Sequence, residues 1–160
     1  MASLVVCNTL EIYNMKPYNA AFFGLFQNLF LVSREKLGNK QALEIFTATM
    51  EKGLKAAYGN NFIKGDARSF VTVVGERDMD VGLDVKFKNI SDNSITYEFH
   101  TDPFPILKDE IPHADLDATY MNFKVQHLLG LHWSYKTTKH LWKGDDCTQH
   151  VISKNQLKII

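Results

Sequence analysis

The residue types able to carry chemistry crowd into the last quarter of this chain, Leu131 to Ile152, which reads LHWSYKTTKHLWKGDDCTQHVI. Three of the six histidines (His132, His140 and His150), both tryptophans and one of the two cysteines, Cys147, lie there around a Gly144-Asp145-Asp146 turn. No HExxH, HxH or His/Cys set at zinc spacing occurs, and a strand through this region places Lys136 on the same face as His132 and His140. An ammonium there repels a divalent cation, so no metal and no cofactor is expected. A reactive thiol at Cys147 requires a nearby cation, whereas its neighbours Asp145 and Asp146 favour the protonated form unless His150 or His132 lies close in space. A half-buried strand cysteine is the simpler expectation. Asp102 is the other candidate: it follows His100 and Thr101 at the end of a strand and precedes Pro103, a place that often faces a cleft. As a general base it needs a histidine or hydroxyl partner, and as a plain turn residue it needs nothing more.

These residues must be positioned by elements that the patterning makes legible. Pro17 and the run to Gly38 predict a first helix with a proline start and a glycine stop. Phe22, Phe26 and Leu29 share one of its faces; Phe23, Phe30 and Leu37 share another. A helix apolar around most of its girth is central to a core, covered by a second copy of the chain, or lines a ligand tunnel, in that order of expectation. Asn39 caps a second helix over 40–58, with Leu43, Phe46, Met50, Leu54 and Ala57 at three-and-four spacing. The two form an antiparallel αα-hairpin. Asp66 caps a short segment at 67–77 that reads as helix, although Phe70-Val71-Thr72-Val73-Val74 also suits a strand.

From Gly82 the period becomes two. Leu83, Val85 and Phe87, then Ile95, Tyr97 and Phe99, predict a hairpin over 82–90 and 93–101 with one buried face, ended by Pro103 and Pro105. Asp115 or Asp117 begins a further helix through Tyr120, Phe123, Val125 and Leu128, stopped by Gly130. A second hairpin follows, with strands at 132–142 and 146–153. On its first arm His132, Ser134, Lys136, Thr138, His140 and Trp142 fall on one face and Trp133, Tyr135 and Thr137 on the other. Helices followed by antiparallel hairpins indicate a single α+β domain over 1–160.

Composition narrows the function classes. The formal net charge is zero, without the basic excess of a nucleic-acid binder, so no nucleic-acid partner is expected. No run approaches the roughly 18 apolar residues that span a bilayer, and the N-terminus lacks a basic leader region. A cytoplasmic location with reduced thiols and no membrane partner is the expectation. Near-zero charge and the apolar first helix together predict a homodimer. No Gly-rich phosphate loop within a βαβ unit is present, so nucleotide chemistry of the usual kinds has no support.

Three segments, TYEFHTDPFP at 96–105, DLDATYMNF at 115–123 and HLWKGDDCTQHVI at 140–152, resemble the L-2-amino-thiazoline-4-carboxylic acid hydrolase-like family, which is itself similar to small-molecule-binding domains of the 4-vinyl reductase type. The family pattern is a strand ending in Cys-Pro-aromatic, a helix some dozen residues on, and a hairpin whose turn reads Gly-Asp-x-x-Cys. Here Asp102 stands where the strand-end cysteine is expected, the turn is one residue shorter, and Gln149 replaces an aromatic. The resemblance implies a hydrolase-like protein acting on a small organic acid or heterocycle. In that reading Asp102 is the general base, aided by His100 or His132, while Cys147, Trp133, Phe104, Tyr120 and His140 line an aromatic pocket for the ligand. The alternative is a non-catalytic module holding an apolar or heteroaromatic molecule in the same pocket.

Overall fold

A computed structural model of the chain describes residues 16–155. Its elements run α1 (Ala20–Leu37), α2 (Asn39–Tyr58), α3 (Ala67–Asp80), β1 (Val85–Lys88), β2 (Ser94–Phe99), a 3-10 turn (Pro105–Leu107), α4 (His113–Leu128), β3 (Trp133–Lys139), a second 3-10 turn (Leu141–Lys143) and β4 (Thr148–Lys154). The four strands form one antiparallel sheet in the order β1-β2-β4-β3. The architecture is therefore α+β with an N-terminal αα-hairpin, as the change of period at Gly82 indicates. The ambiguous segment at 67–77 is helical because the Asp66 carboxylate accepts from the Ser69 backbone N–H at 2.6 Å, a side-chain cap that a strand would waste. No helix among the described residues is long and apolar enough to cross a membrane.

Several boundaries differ from the sequence expectation. Asn39 is the first residue of α2, with Gly38 at the capping position between the two helices. α4 starts two to four residues early, behind Pro112, and Asp117 is a core residue of that helix. α1 is not the central helix: it is buried along the single stripe Phe23, Gln27, Phe30 and Ser33, while Leu25 is 71 % exposed and Val32 49 % exposed. The reason is that α1 packs mainly on α2, with smaller contacts to the 105–107 turn and, through Phe22, to Arg77 of α3. Gln27 fastens it there, accepting from the Ile106 N–H at 2.7 Å. The buried centre belongs to α4, which packs against α2 on one side and β3 on the other. Close packing elsewhere demands glycine once: at Gly82, φ +80°, a Cβ would lie 2.1 Å from the Pro17 carbonyl oxygen.

Sheet details set which side chains face the helices. Ile95, Tyr97 and Phe99 of β2 pair with Ile152, His150 and Thr148 of β4 on the inner face. β2 is buried on its outer face too, contrary to the one-sided expectation, because Lys88 and Gln149 close over Glu98. In β3 the pairing skips Thr138, so that Thr137 stands opposite His150 and Lys139 opposite Gln149. This bulge turns every later side chain over. His132, Ser134, Lys136 and Thr138 stay exposed, but His140 is carried to the inner face and buried. The single-face alternation through His140 and Trp142 is thereby corrected, and strand pairing stops at Lys139 and resumes at Thr148.

Under the sheet the bulge completes a polar network in the core. Asp117 accepts from the Tyr120 and Thr137 hydroxyls, both at 3.0 Å, and lies 3.5 Å from His140 Nε2. Because the Thr137 hydroxyl donates to Asp117, it accepts from His150 Nδ1–H at 3.0 Å, which leaves His150 Nε2 unprotonated and buried without a partner. Burial, reinforced by Lys124 and His140 and opposed by Asp117, pushes the His150 pKa down to about 4 from its ordinary 6.5. Between those values the unfolded chain binds a proton that the folded chain refuses. Stability is therefore expected to fall as pH drops from 6.5 towards 4, by about 3 kcal/mol for this residue. Urea midpoints measured across that window should show the loss, and His150→Gln should flatten it; an unchanged slope in the variant would exclude His150 as its source.

Candidate functional site

Between the αα-hairpin and the layer formed by α3, α4 and β2 lies a cavity of about 210 Å³. Phe22, Phe23 and Phe26 of α1 and Met50, Gly53 and Leu54 of α2 form its roof; Phe99, Phe104 and Tyr120 form much of its floor. The walls are overwhelmingly hydrocarbon because each contributing element turns its apolar stripe inward at this point. Three charged side chains interrupt them: Arg77, Asp78 and Lys124.

Asp78 and Lys124 are both almost wholly buried. The Lys124 ammonium donates to Asp78 Oδ1 and Oδ2 at 3.3 and 3.2 Å and to the Tyr97 hydroxyl at 2.8 Å, and that hydroxyl donates in turn to Asp78. The ammonium also sits 5.1, 5.3 and 5.5 Å from the ring centres of Tyr97, Phe99 and Tyr120, where π-faces attract a cation. Burial pulls the Lys124 pKa below its usual value against the opposing pull of Asp78. Burial first, then the Asp78 charge, raises Tyr97 well above the normal phenol. Isolated ions at such depth are costly, and even paired ones rarely improve on an apolar core. A charge pair held under an apolar cavity makes this the candidate site.

Arg77 differs from its neighbours. Its guanidinium lies 5.3 Å over the Phe22 ring, its Nε is buried without a hydrogen-bond partner, and it pairs with no carboxylate among the described residues. Asp78 and Lys124 pair with each other, which leaves the half-buried Arg77 as the lining cation with no ion-pair partner among the described residues.

Of the candidate site residues, Phe104 and Tyr120 line this cavity, as do Phe22, Phe23 and Phe26 of the first helix, whereas Asp102, His100, His132, Cys147, Trp133 and His140 lie elsewhere. Asp102 accepts from the Phe104 backbone N–H at 2.9 Å and from the Trp142 indole N–H at 2.7 Å, so both oxygens are engaged. His100 and Cys147 do meet, on the outer face of the sheet, where their ligating atoms and that of Glu98 lie within 4.8 Å of one another. Glu98 is already held by Lys88 at 2.9 Å, Gln149 at 2.8 Å and His100 at 3.2 Å, which keeps it ionised down to a pKa of about 2. Burial and then the Asp146 and Glu98 charges hold the Cys147 thiol above its ordinary range. His132 is exposed, and Trp133 is buried beside Val125 and Gln126 of α4.

His113, Asp117 and His140 also bring their donor atoms within 4.8 Å of one another. There, however, His140 Nδ1 accepts from the Trp142 backbone N–H at 3.1 Å. Its Nε2 must then carry the proton, and a neutral imidazole has no second lone pair for a metal. The residues that sequence reasoning missed are Arg77, Asp78, Tyr97 and Lys124. One signal was available: Lys124 stands between Phe123 and Val125 and four residues after Tyr120, an ammonium within an apolar helical stretch.

No protein-family model matches the chain, and no curated protein does. Among solved structures it is similar to an H-NOX protein from S. oneidensis, crystallised in its Fe(II)NO ligation state. The identity is 12 %, over 89 % of this chain and 79 % of that one, with a TM-score of 0.49. A likeness of that degree says nothing of ligand or activity.

The Asp102 geometry has a direct consequence. Asparagine can accept with its single oxygen but would turn an amide N–H towards one of the two donors. Asp102→Asn is therefore expected to destabilise the fold by about 1–3 kcal/mol, where a free turn aspartate would tolerate the change. Chemical denaturation of the variant checks this, and a loss below about 0.5 kcal/mol, the usual scatter of surface substitutions, would show that the Trp142 bond contributes little.

Proposed function

We propose that this chain is a binding module that encloses one small, largely apolar molecule in the cavity beneath α1 and α2 and does not turn it over. The observation that supports this reading is a hydrocarbon-walled chamber with one unpaired guanidinium on its wall. Pockets for small molecules are typically of this kind, apolar with a few placed polar groups. About 210 Å³ suits one substituted aromatic ring, since an apolar cavity of about 150 Å³ accepts benzene. The free charge at Arg77 calls for an electron-rich oxygen on the ligand, such as a carboxylate, phenolate or carbonyl, because hydrogen bonds to ionised groups are the strong ones.

The test is native mass spectrometry of purified protein for a retained small molecule, followed by titration of that molecule into variants. Gly53 lies exposed at the mouth, and a Cβ there meets nothing within 4 Å. Gly53→Ala should stabilise α2 by about 0.5–1 kcal/mol, whereas Gly53→Phe should cover the mouth and weaken binding at least about tenfold, or about 1.4 kcal/mol. Arg77→Met should weaken binding of an acidic ligand by about 1.5–3 kcal/mol. Unaltered affinity in both Gly53→Phe and Arg77→Met would place the ligand elsewhere.

Membership of the L-2-amino-thiazoline-4-carboxylic acid hydrolase-like family is a second proposal. It draws on the segments 96–105, 115–123 and 140–152, with Asp102 at the strand end as the general base. Self-association through the outward face of α1 is a separate proposal, supported by zero net charge and by the exposure of Leu25, Leu29 and Val32. Sedimentation should show a dimer at roughly tens of micromolar, where dimers of micromolar affinity persist. A monomer at that concentration removes the dimer.

A further inference from the structure

Among the described residues Lys124 is the one amine on the cavity wall. It enters from α4 with a carboxylate and a phenol already in contact with its nitrogen and with aromatic rings around it. A salt bridge kept only for stability gains little from such a place, because an apolar pair of similar volume serves a core as well or better. What the place does supply is a carboxylate hydrogen-bonded to the ammonium, a direct path for a proton between the two. An uncharged, desolvated amine is the nucleophile of Schiff-base chemistry.

We propose that Lys124 captures aldehyde or ketone ligands as a protonated imine, with Asp78 as its proton acceptor and retained counterion. This rests on the binding role proposed for the cavity and names a carbonyl compound as the ligand class. The step balances without any further reagent. One ammonium proton passes to Asp78, and the freed amine nitrogen forms a bond to the carbonyl carbon, giving a carbinolamine. The oxygen takes the proton held by Asp78 and a second hydrogen from nitrogen and leaves as water, while the nitrogen lone pair closes the C=N bond. The third hydrogen stays on nitrogen, so the positive charge beside Asp78 is conserved. Burial lowers the proton affinity of the Lys124 amine in support of this order of events. The Tyr97 hydroxyl, which contacts both partners, holds the pair in register through the transfer.

The test uses benzaldehyde, a single ring with one carbonyl, and cyanoborohydride, which reduces an imine to a stable benzylamine. Intact mass followed by peptide mapping reads where the benzyl group lies. At neutral pH an exposed lysine is unprotonated only to about 0.1 % or less, so Lys124 should label at least about tenfold faster than exposed Lys52. Benzyl alcohol, which fills the same space but forms no imine, should protect Lys124 and leave Lys52 unaffected. Lys124→Met should abolish the protected adduct. Should that variant fail to fold, Gly53→Phe keeps the amine, covers the mouth and should slow the labelling by a similar factor. Binding of both probes, seen as benzyl alcohol displacing benzaldehyde, without preferential labelling of Lys124 would overturn the capture and leave the binding role standing. Failure of either probe to bind would overturn both.

Discussion

A single positive charge placed inside a hydrocarbon layer constrains much of this structure. Lys124 enters the core because α4 lies between α2 and the sheet and so has no wet face at that position. The charge is tolerable only because Asp78 reaches it from α3 and Tyr97 from β2. Three elements far apart in the chain are thus tied at one point.

A second polar centre balances the first. Asp117 collects hydroxyls from Tyr120 and Thr137 and stands beside His140, and through Thr137 it fixes the tautomer of His150. Tyr120 joins the two centres, its hydroxyl on Asp117 and its ring beneath Lys124 and the cavity. Around the two centres His150 Nε2, Arg77 Nε, Tyr58 Oη and His113 Nδ1 are buried without a hydrogen-bond partner among the described residues. Two of these atoms, His150 Nε2 and Arg77 Nε, carry information. The first stands among aromatic rings and makes the fold sensitive to acid; the second borders the cavity and marks where a ligand oxygen would be held.

The cavity's roof and floor also differ in kind. α1 and α2 meet in a local hairpin of hydrocarbon contacts, pinned to the rest through Gln27 and the 105–107 turn. The floor is built from α3, α4 and β2 and is crossed by charged hydrogen bonds. The roof is thus held by apolar packing, whereas below the floor's rings an ion pair ties three elements together.

How much of this was legible without coordinates follows from the range of each interaction. Helical spacing at Leu43, Phe46, Met50 and Leu54 and alternation at Val85, Phe87, Ile95 and Tyr97 report local geometry, so the αα-hairpin, the strands and the α+β class could be read directly. The family resemblance drew on short segments around Asp102 and Cys147, and of the site residues it suggested, Phe104 and Tyr120 face the cavity. Asp78 and Lys124 are 46 residues apart. In sequence one is the charged end of a helix and the other a lysine within an apolar helical stretch, with nothing to join them. Only tertiary packing makes them partners, because burial is a property of the layer an element lands in and not of the element. The bulge at Thr138 belongs to the same category: one unpaired residue in a ladder leaves no mark on composition, yet it decides that His140 faces Asp117 instead of water.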